Sequence, residues 1–301
     1  MKKMRLDRRI IVPLVNEILD QYDYPLTIRQ IYYRLMSHPY NYFTIKDDKY
    51  KGLDSILKVA REREEIDWHR IEDRHRHTIG GDEGWTNPDD FMGSFKEYIK
   101  SAWERYNKEI WASQDYKMEL WIEKDAVSSL AAQVARDYKV LVFPNKGNTS
   151  LTTIMEAIED RLIKYNDKRL IILHLGDHDP AGIDMTRDIK DRTERYGKKY
   201  GLAPICVDRI GLNMDQIKEF NLLTESIANP KDTRTPAYIE KFGTNKVWEL
   251  DALPPDEMKK IITDAIEKYI DADKWNAKIA EIKAEGEEVK KRVSEMIDRL
   301  N

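Results

Sequence analysis

The feature that most constrains the fold is a continuous apolar segment, RLIILHLGD at 169–177. Such a run is typical of a strand that is buried on both faces of a parallel sheet. Other strands are predicted at MELWIE, KVLVF and APICV, and they alternate with helices predicted at 125–137, 150–165 and 181–199. This alternation predicts a doubly wound α/β domain with right-handed crossovers over residues 116–210.

Three carboxylates follow the ends of the predicted strands. Glu123 ends the first strand of the domain, and Asp177 and Asp179 follow the buried one. Ligands of such sheets bind at the carboxyl ends of the strands, and residues i and i+2 of an extended segment point the same way. Grouped carboxylates without cysteine suit Mg²⁺ or Mn²⁺. We therefore expect these three residues to hold the metal, or Glu123 to act as a general acid or base.

A purely structural interpretation of the same residues stays open. Asp179 precedes Pro180, which is favoured at the first position of a helix, so Asp179 could be only a helix N-cap. Gly182 could serve only close packing. Glu249 and Asp251 are interpreted as a polar strand end before Pro254, although a second acidic shell is the other possibility.

The first 80 residues predict a small helical domain. Helices are expected at 8–21, 28–36 and 52–64, and the basic stretch IDWHRIEDRHRHT follows at 66–78. Three helices and a β-hairpin wing form a winged helix, whose third helix enters the DNA major groove. Trp68 is expected in the core of the wing.

The remaining segments connect or extend these two domains. Residues 78–93 are rich in Gly, Asp, Asn and Pro, which predicts a boundary, and a linking helix is expected at 94–112. The last helix, 274–300, carries a heptad-like apolar seam that would either pair two protomers or pack on its own domain. The predicted divisions are a winged helix at 1–80, a linker at 81–115, a metal-binding core at 116–210 and a C-terminal extension at 211–301.

A tyrosine pair lies on the second predicted helix. Arg29 and Tyr33 are four residues apart and share a helix face. A cation there could lower the pKa of the phenol and neutralise a phosphate, so that Tyr33 acts as a nucleophile. Tyr32 points elsewhere and is expected in the core or on the surface of a groove. In isolation, such a pair more commonly serves packing.

Two sets of motifs carry a resemblance to known families. WIEKDAV together with HLGDHDPAGIDM resembles the Toprim domain of topoisomerases, primases and related nucleases. R-x-x-Y-Y followed by this domain resembles the A subunit of topoisomerase VI and the related meiotic double-strand-break proteins. LTIRQIYYRL, RIEDRHR and VWELDALPP are most similar to the short, stand-alone Mini-A type.

The resemblance implies an activity and its partners. Tyr33 would attack double-stranded DNA and leave a 5′-phosphotyrosyl link, with Arg29 and a Mg²⁺ ion (or Mn²⁺) on Glu123, Asp177 and Asp179. The protein would be a homodimer in which the tyrosine of one protomer works with the acidic site of the other. An ATPase B-like subunit on a separate chain is a possible partner, since nothing in this chain resembles one.

Basic residues supply the expected contacts to DNA phosphates. The net charge is −4, but residues 1–81 carry 16 Lys and Arg against 13 Asp and Glu. The interspersed acids leave open an ordinary solvated face. The expected DNA contacts are Lys51, Lys58, Arg61, Arg63, Arg70, Arg74, Arg76 and Lys124.

Composition excludes several classes of protein. No apolar run approaches the ~18 residues of a membrane span, and the single Cys206 excludes a disulfide framework and a multi-cysteine zinc site. The single cysteine fits a reducing compartment, and the resemblance to the Mini-A type implies a cytoplasmic, nucleoid-associated protein of a prokaryote or virus. The competing hypotheses are a Toprim nuclease that hydrolyses DNA while Tyr33 is idle, and a catalytically silent DNA-binding protein.

Overall fold

The computed structural model describes residues 6–44, 47, 49–72, 84–124, 127–145, 151–224 and 226–300. The expected DNA contacts Arg74 and Arg76 lie outside these residues, as does the second half of the predicted wing. The described chain is mixed α/β with parallel sheets, as the sequence predicts at this coarse level.

The three N-terminal helices confirm the prediction for this segment. They are α1 (Arg8–Asp20), α2 (Ile28–Met36) and α3 (Tyr50–Glu62). Each begins where an apolar stripe starts, and α2 opens with a capping box between Thr27 and Gln30 that satisfies two free backbone donors. The stripes meet in one buried core that includes Ile11, Val15, Ile31, Leu35, Leu53 and Leu57.

The segment after α3 differs from the expected start of a hairpin. Its described part is a 3-10 turn at Trp68–Arg70 followed by the short strand β2 (Ile71–Glu72). This strand pairs in parallel with β1 (Leu26–Thr27), which directly precedes α2. The pairing ties the beginning of the tyrosine helix to the segment that follows α3.

The central sheet has four strands in the order β4-β3-β5-β6. They are β3 (Tyr116–Ile122), β4 (Leu141–Pro144), β5 (Arg169–Leu175) and β6 (Cys206–Gly211), and the pairs β3–β4 and β5–β6 are parallel. After β3 the chain adds β4 at one edge of the sheet, and after β5 it adds β6 at the opposite edge. In open α/β sheets, the crevice where the strand order reverses in this way is the usual ligand site.

Helices cover the sheet, with two local departures from prediction. They are α5 (Ser128–Asp137), α6 (Leu151–Glu156), α7 (Pro180–Lys199), α8 (Met214–Glu219), α9 (Thr235–Phe242) and α10 (Pro255–Glu267). The predicted helix at 150–165 continues from α6 as a π turn and a 3-10 turn. The predicted strand APICV begins three residues late, at Cys206, because Pro204 has no N–H for the ladder.

A second compact unit consists of residues 77–117 and 269–301, whereas residues 1–76 and 118–268 form the first. The second unit contains α4 (Pro88–Ser101) and α11 (Ala272–Leu300), which pack on each other. Trp111 is fully buried against Trp275, with ring centroids 5.2 Å apart. The structure thus groups the last helix with the linker, whereas the predicted divisions place it in the 211–301 extension.

The described helices contain none that is both long enough and apolar enough to cross a membrane. Helix α11 confirms the predicted last helix, and two positions of its apolar seam, Ile279 and Met296, are exposed.

Candidate active site

Glu123 and Asp177 meet at the point where the strand order reverses. The backbone N–H of Glu123 donates to the Leu175 carbonyl at 2.9 Å, which places the ends of β3 and β5 side by side. The backbone N–H of Asp177 donates to Glu123 Oε2 at 2.9 Å. Burial, together with the charges of Asp177 and Asp179, raises the pKa of Glu123 to about 7. A carboxyl with such a pKa can carry or release a proton near neutral pH.

Two glycines allow the backbone to approach this carboxyl group. A Cβ on Gly176 would lie 2.8 Å from Glu123 Oε2. A Cβ on Gly182 would lie 2.9 Å from the same oxygen and closer still to the carbonyl oxygen of Asp177. The close-packing role considered for Gly182 is therefore confirmed.

Asp179 serves as the N-cap of α7. Its Oδ1 accepts a hydrogen bond from the Gly182 N–H at 2.6 Å, and Pro180 occupies the first helical turn. The N-cap role of Asp179 is thus confirmed, and its role as a metal ligand stays a prediction. Its charge also contributes to the raised pKa of Glu123, so the residue lies within electrostatic reach of the site.

A second group of carboxylates surrounds Lys124. The ammonium Nζ lies 3.1 Å from Asp177 Oδ2, 3.3 Å from Asp251 Oδ2 and 3.4 Å from Glu249 Oε2. Burial lowers the pKa of Lys124, but the three carboxylates outweigh this effect and the net shift is upward. Lys124 is therefore engaged with acids, whereas the sequence suggested a contact to DNA.

The interpretation of Glu249 and Asp251 as a mere strand end is wrong. His178 and Trp248 form an antiparallel bridge, with N–H to O distances of 2.8 and 3.0 Å. This bridge carries the following residues to the acidic cluster, where Asp177 Oδ1 accepts from the Leu250 N–H at 2.7 Å. Asp251 is only 2% exposed, and its buried Oδ1 has no hydrogen-bond partner within the described ranges of the chain.

Arg209 is a site residue that the sequence analysis missed. Its Nη1 donates to the Gly182 carbonyl at 2.9 Å, and its Nη2 donates to the carbonyls of Gly176 and Asp177 at 2.9 and 2.7 Å. Burial lowers its pKa to about 10, and nearby carboxylates oppose this shift. The available signal was the charged pair Asp208 and Arg209 in a short strand, but the strand predicted at APICV ended before both residues.

Helix α2 lies against the same acidic segment of the chain. Arg29 Nη1 lies 2.6 Å from Glu249 Oε2, and the guanidinium stacks over the Tyr50 ring at 5.2 Å from its centroid. Arg34 Nη2 donates to the Ala252 carbonyl at 3.2 Å. Arg29 and Lys124 thus share one carboxylate, which connects the tyrosine helix to the end of the sheet.

The pKa of Tyr33 differs in direction from the sequence expectation. Burial and the carboxylate of Glu249 raise it, and together they outweigh the lowering effects of Arg29 and Lys124. The guanidinium is bound to Glu249, so its charge is largely neutralised before it acts on the phenol. Tyr32 is 8% exposed and packs against other rings, as expected of a core residue.

The expected DNA contacts on the N-terminal domain fall into two groups. Lys51, Lys58 and Arg63 are exposed on or next to α3, and Arg61 stacks over the Trp68 ring at 5.1 Å. Trp68 is 52% exposed, so its predicted burial in the wing is wrong.

Arg70 has a role within the fold. Its Nη2 donates to the carbonyl of Leu19, in the last turn of α1, and to the carbonyl of Tyr22, just after the helix. The guanidinium that was expected to bind phosphate therefore closes the end of a helix.

The donor chemistry at the end of the sheet suits a hard cation. Oxygen ligands without sulfur are those that Mg²⁺ and Mn²⁺ prefer. The charges of Asp177 and Asp179 act on Glu123, and Asp251 adds an oxygen that no described side chain or backbone group satisfies. Within residues 6–300, the described side chains include no group of three His, Cys, Asp or Glu arranged closely enough to hold an ion.

No protein-family model matches the chain, and no curated protein does.

Proposed function

We propose that this protein cleaves and rejoins DNA as a winged-helix and Toprim enzyme of the topoisomerase VI A-subunit type. One observation carries the proposal. The helix that bears Tyr33 is joined through Arg29 to Glu249, and Glu249 is joined through Lys124 to Asp177. One ion-pair network thus ties the helix of a candidate nucleophile to a cluster of candidate metal ligands, although about 140 residues separate Tyr33 from Asp177 in the sequence.

Tyr33 is the nucleophile in this proposal. Its oxygen forms a bond to a backbone phosphorus while the bond from that phosphorus to the 3′ oxygen breaks, which leaves a 5′-phosphotyrosyl link and a 3′-hydroxyl. The phenol loses its proton and the 3′ oxygen gains one. The reverse attack by the hydroxyl reseals the strand.

The surrounding residues transfer protons and stabilise the negative charge of the phosphate. Glu123, with its pKa of about 7, is suited to donate the proton to the departing 3′ oxygen and to recover it on resealing. Arg29 would exchange its carboxylate partner for the phosphate and stabilise the pentavalent state. With Glu123 as the general acid, Mg²⁺ held by Asp177 and Asp179 would supply further positive charge to the transferring phosphate.

A labelling experiment tests the covalent step. Duplex DNA labelled at the 5′ or 3′ end is incubated with the protein and Mg²⁺ or Mn²⁺ and then denatured with detergent. We expect protein-linked DNA with the wild type and with Y32F, the matched control from the same helix, and none with Y33F. Adducts that persist in Y33F would refute the assignment of the nucleophile.

A mixing experiment tests the dimer that the resemblance implies. If the tyrosine of one protomer works with the acids of its partner, a Y33F chain and a D177N chain form a heterodimer with one complete site. We then expect single-strand cleavage to return in the mixture. A mixture that stays inactive while its heterodimers form would show that the tyrosine and the acids of one chain work together.

A hydrolytic nuclease is the second candidate, and one observation favours it. Burial and Glu249 raise the pKa of Tyr33, which makes the phenol a poor nucleophile in this arrangement. A nuclease would release DNA ends free of protein, keep its activity in Y33F and lose it in D177N. DNA binding without cleavage would instead favour the catalytically silent binding protein.

A further inference from the structure

The end of the sheet carries two groups of carboxylates that share Asp177. The first group contains Glu123 and Asp179. The second consists of Asp177, Glu249 and Asp251, and we name it the Lys124 pocket because the Lys124 ammonium lies between its members. The two groups therefore form adjacent subsites at one crevice.

The Lys124 pocket has the geometry of a cation site. Three oxygens from three side chains lie 3.1–3.4 Å from one nitrogen, which matches the three donors of an ammonium group. Other contacts hold these oxygens in place. The Leu250 N–H binds the other oxygen of Asp177, and Arg29 binds Glu249.

The pocket also has more acceptor capacity than the ammonium uses. Asp251 is 2% exposed, and among the residues that the structure describes its Oδ1 has no hydrogen-bond partner. A buried carboxylate oxygen without a partner is costly, so such atoms are rare unless a ligand satisfies them. A divalent ion accepts about six oxygen ligands and could use this additional one.

We propose that the Lys124 pocket is a second cation site, and that the Lys124 ammonium is its resident cation. Phosphoryl-transfer sites commonly place two metal ions ~4 Å apart, and each stabilises one of the two oxygens exchanged at phosphorus. In this chain a tethered ammonium takes the place of one ion. The wild-type chain therefore binds one divalent ion fewer than its two acidic groups would otherwise hold.

Removal of the ammonium should convert the pocket into a metal site. Oxygens of a magnesium site lie ~2.1 Å from the ion, so those now 3.1–3.4 Å from Nζ must move inward by about 1 Å. The shortened side chain of K124A leaves room for this movement. K124R retains a cation and should leave the pocket closed to metal.

The test is a count of bound Mn²⁺ by equilibrium dialysis and electron paramagnetic resonance, on the full chain and without DNA. We expect K124A to bind one Mn²⁺ per chain more than the wild type, and K124A/D251N and K124R to lose this gain. The matched control is K108A, because Lys108 also bridges two carboxylates, at 2.6 Å from Glu281 and 2.7 Å from Glu285, but it lies in a loop and its partners are on the surface of α11. We expect K108A to gain no ion.

Equal Mn²⁺ counts in K124A and the wild type would overturn the inference, and so would an equal gain in K108A. Thermal unfolding covers the case in which K124A is unstable, because Mn²⁺ should then raise its Tm more than that of the wild type. The inference concerns ion binding alone. A Y33F chain that forms no DNA adduct would still show the same Mn²⁺ count, so failure of the proposed cleavage reaction and failure of this inference give different results.

Discussion

A methyl group at Gly182 should displace the acidic loop. In an exposed helix, replacing glycine with alanine stabilises the folded state by about 0.5–1 kcal/mol. At Gly182, however, the new Cβ would lie 2.9 Å from Glu123 Oε2 and closer still to the Asp177 carbonyl oxygen. Carbon–oxygen contacts are normally ~3.3 Å or longer, so both acidic residues must move. Overpacking of this kind costs about 1–3 kcal/mol.

We therefore expect G182A to lower the free energy of unfolding by about 1–2 kcal/mol net, and to weaken Mn²⁺ binding because Glu123 and Asp177 are displaced together. The matched control is G93A in α4, where a Cβ would meet nothing within 4 Å and where stability should rise. Urea unfolding followed by tryptophan fluorescence measures both variants. A G182A protein at least as stable as the wild type, with unchanged Mn²⁺ affinity, would refute the close-packing argument.

Three further predictions concern other parts of the first unit. R209M should lower the free energy of unfolding by about 3–5 kcal/mol, measured by urea unfolding, because several buried carbonyls lose a charged donor. Burial lowers the pKa of His174 to about 3 in the folded chain. As the pH falls, the imidazole is therefore protonated in the unfolded chain before it is protonated in the folded one. His174 should therefore contribute its full stability above pH ~6.5 and lose about 2 kcal/mol by pH 5, and the pH dependence of urea unfolding should be shallower in H174Q. K58A/R63A should weaken DNA binding equally for all sequences and reduce its salt dependence, whereas R70A should lower stability by about 1–2 kcal/mol instead. Fluorescence anisotropy at several salt concentrations separates these two effects.

Local sequence patterns were sufficient to predict most helices and the position of the first acidic group, which contains Glu123 and Asp177. The apolar periodicity of α1, α2 and α3, and the continuous apolar run of β5, reflect burial that the chain itself specifies. Glu123 and Asp177 could be placed together because strand ends of a parallel sheet meet at one edge.

The second acidic group could not be predicted in this way. Glu249 and Asp251 reach the site through the bridge between His178 and Trp248, a contact across 70 residues that no local pattern specifies. The pKa of Tyr33 likewise depends on what α2 packs against. The cation four residues away on the same helix did not predict the direction of this pKa shift, because Arg29 is paired with a carboxylate from a distant segment.

The division of the second unit between residues 77–117 and 269–301 has a consequence during synthesis. Trp111 is fully buried, but its partner ring, Trp275, is made more than 150 residues later. At ribosomal rates of about 5–20 residues per second, the earlier half waits roughly 8–30 s for its counterpart. During that interval the apolar surface around Trp111 is available to chaperones and to other nascent chains. A slower translation rate over 118–268 should therefore lengthen this exposure and reduce the yield of folded protein.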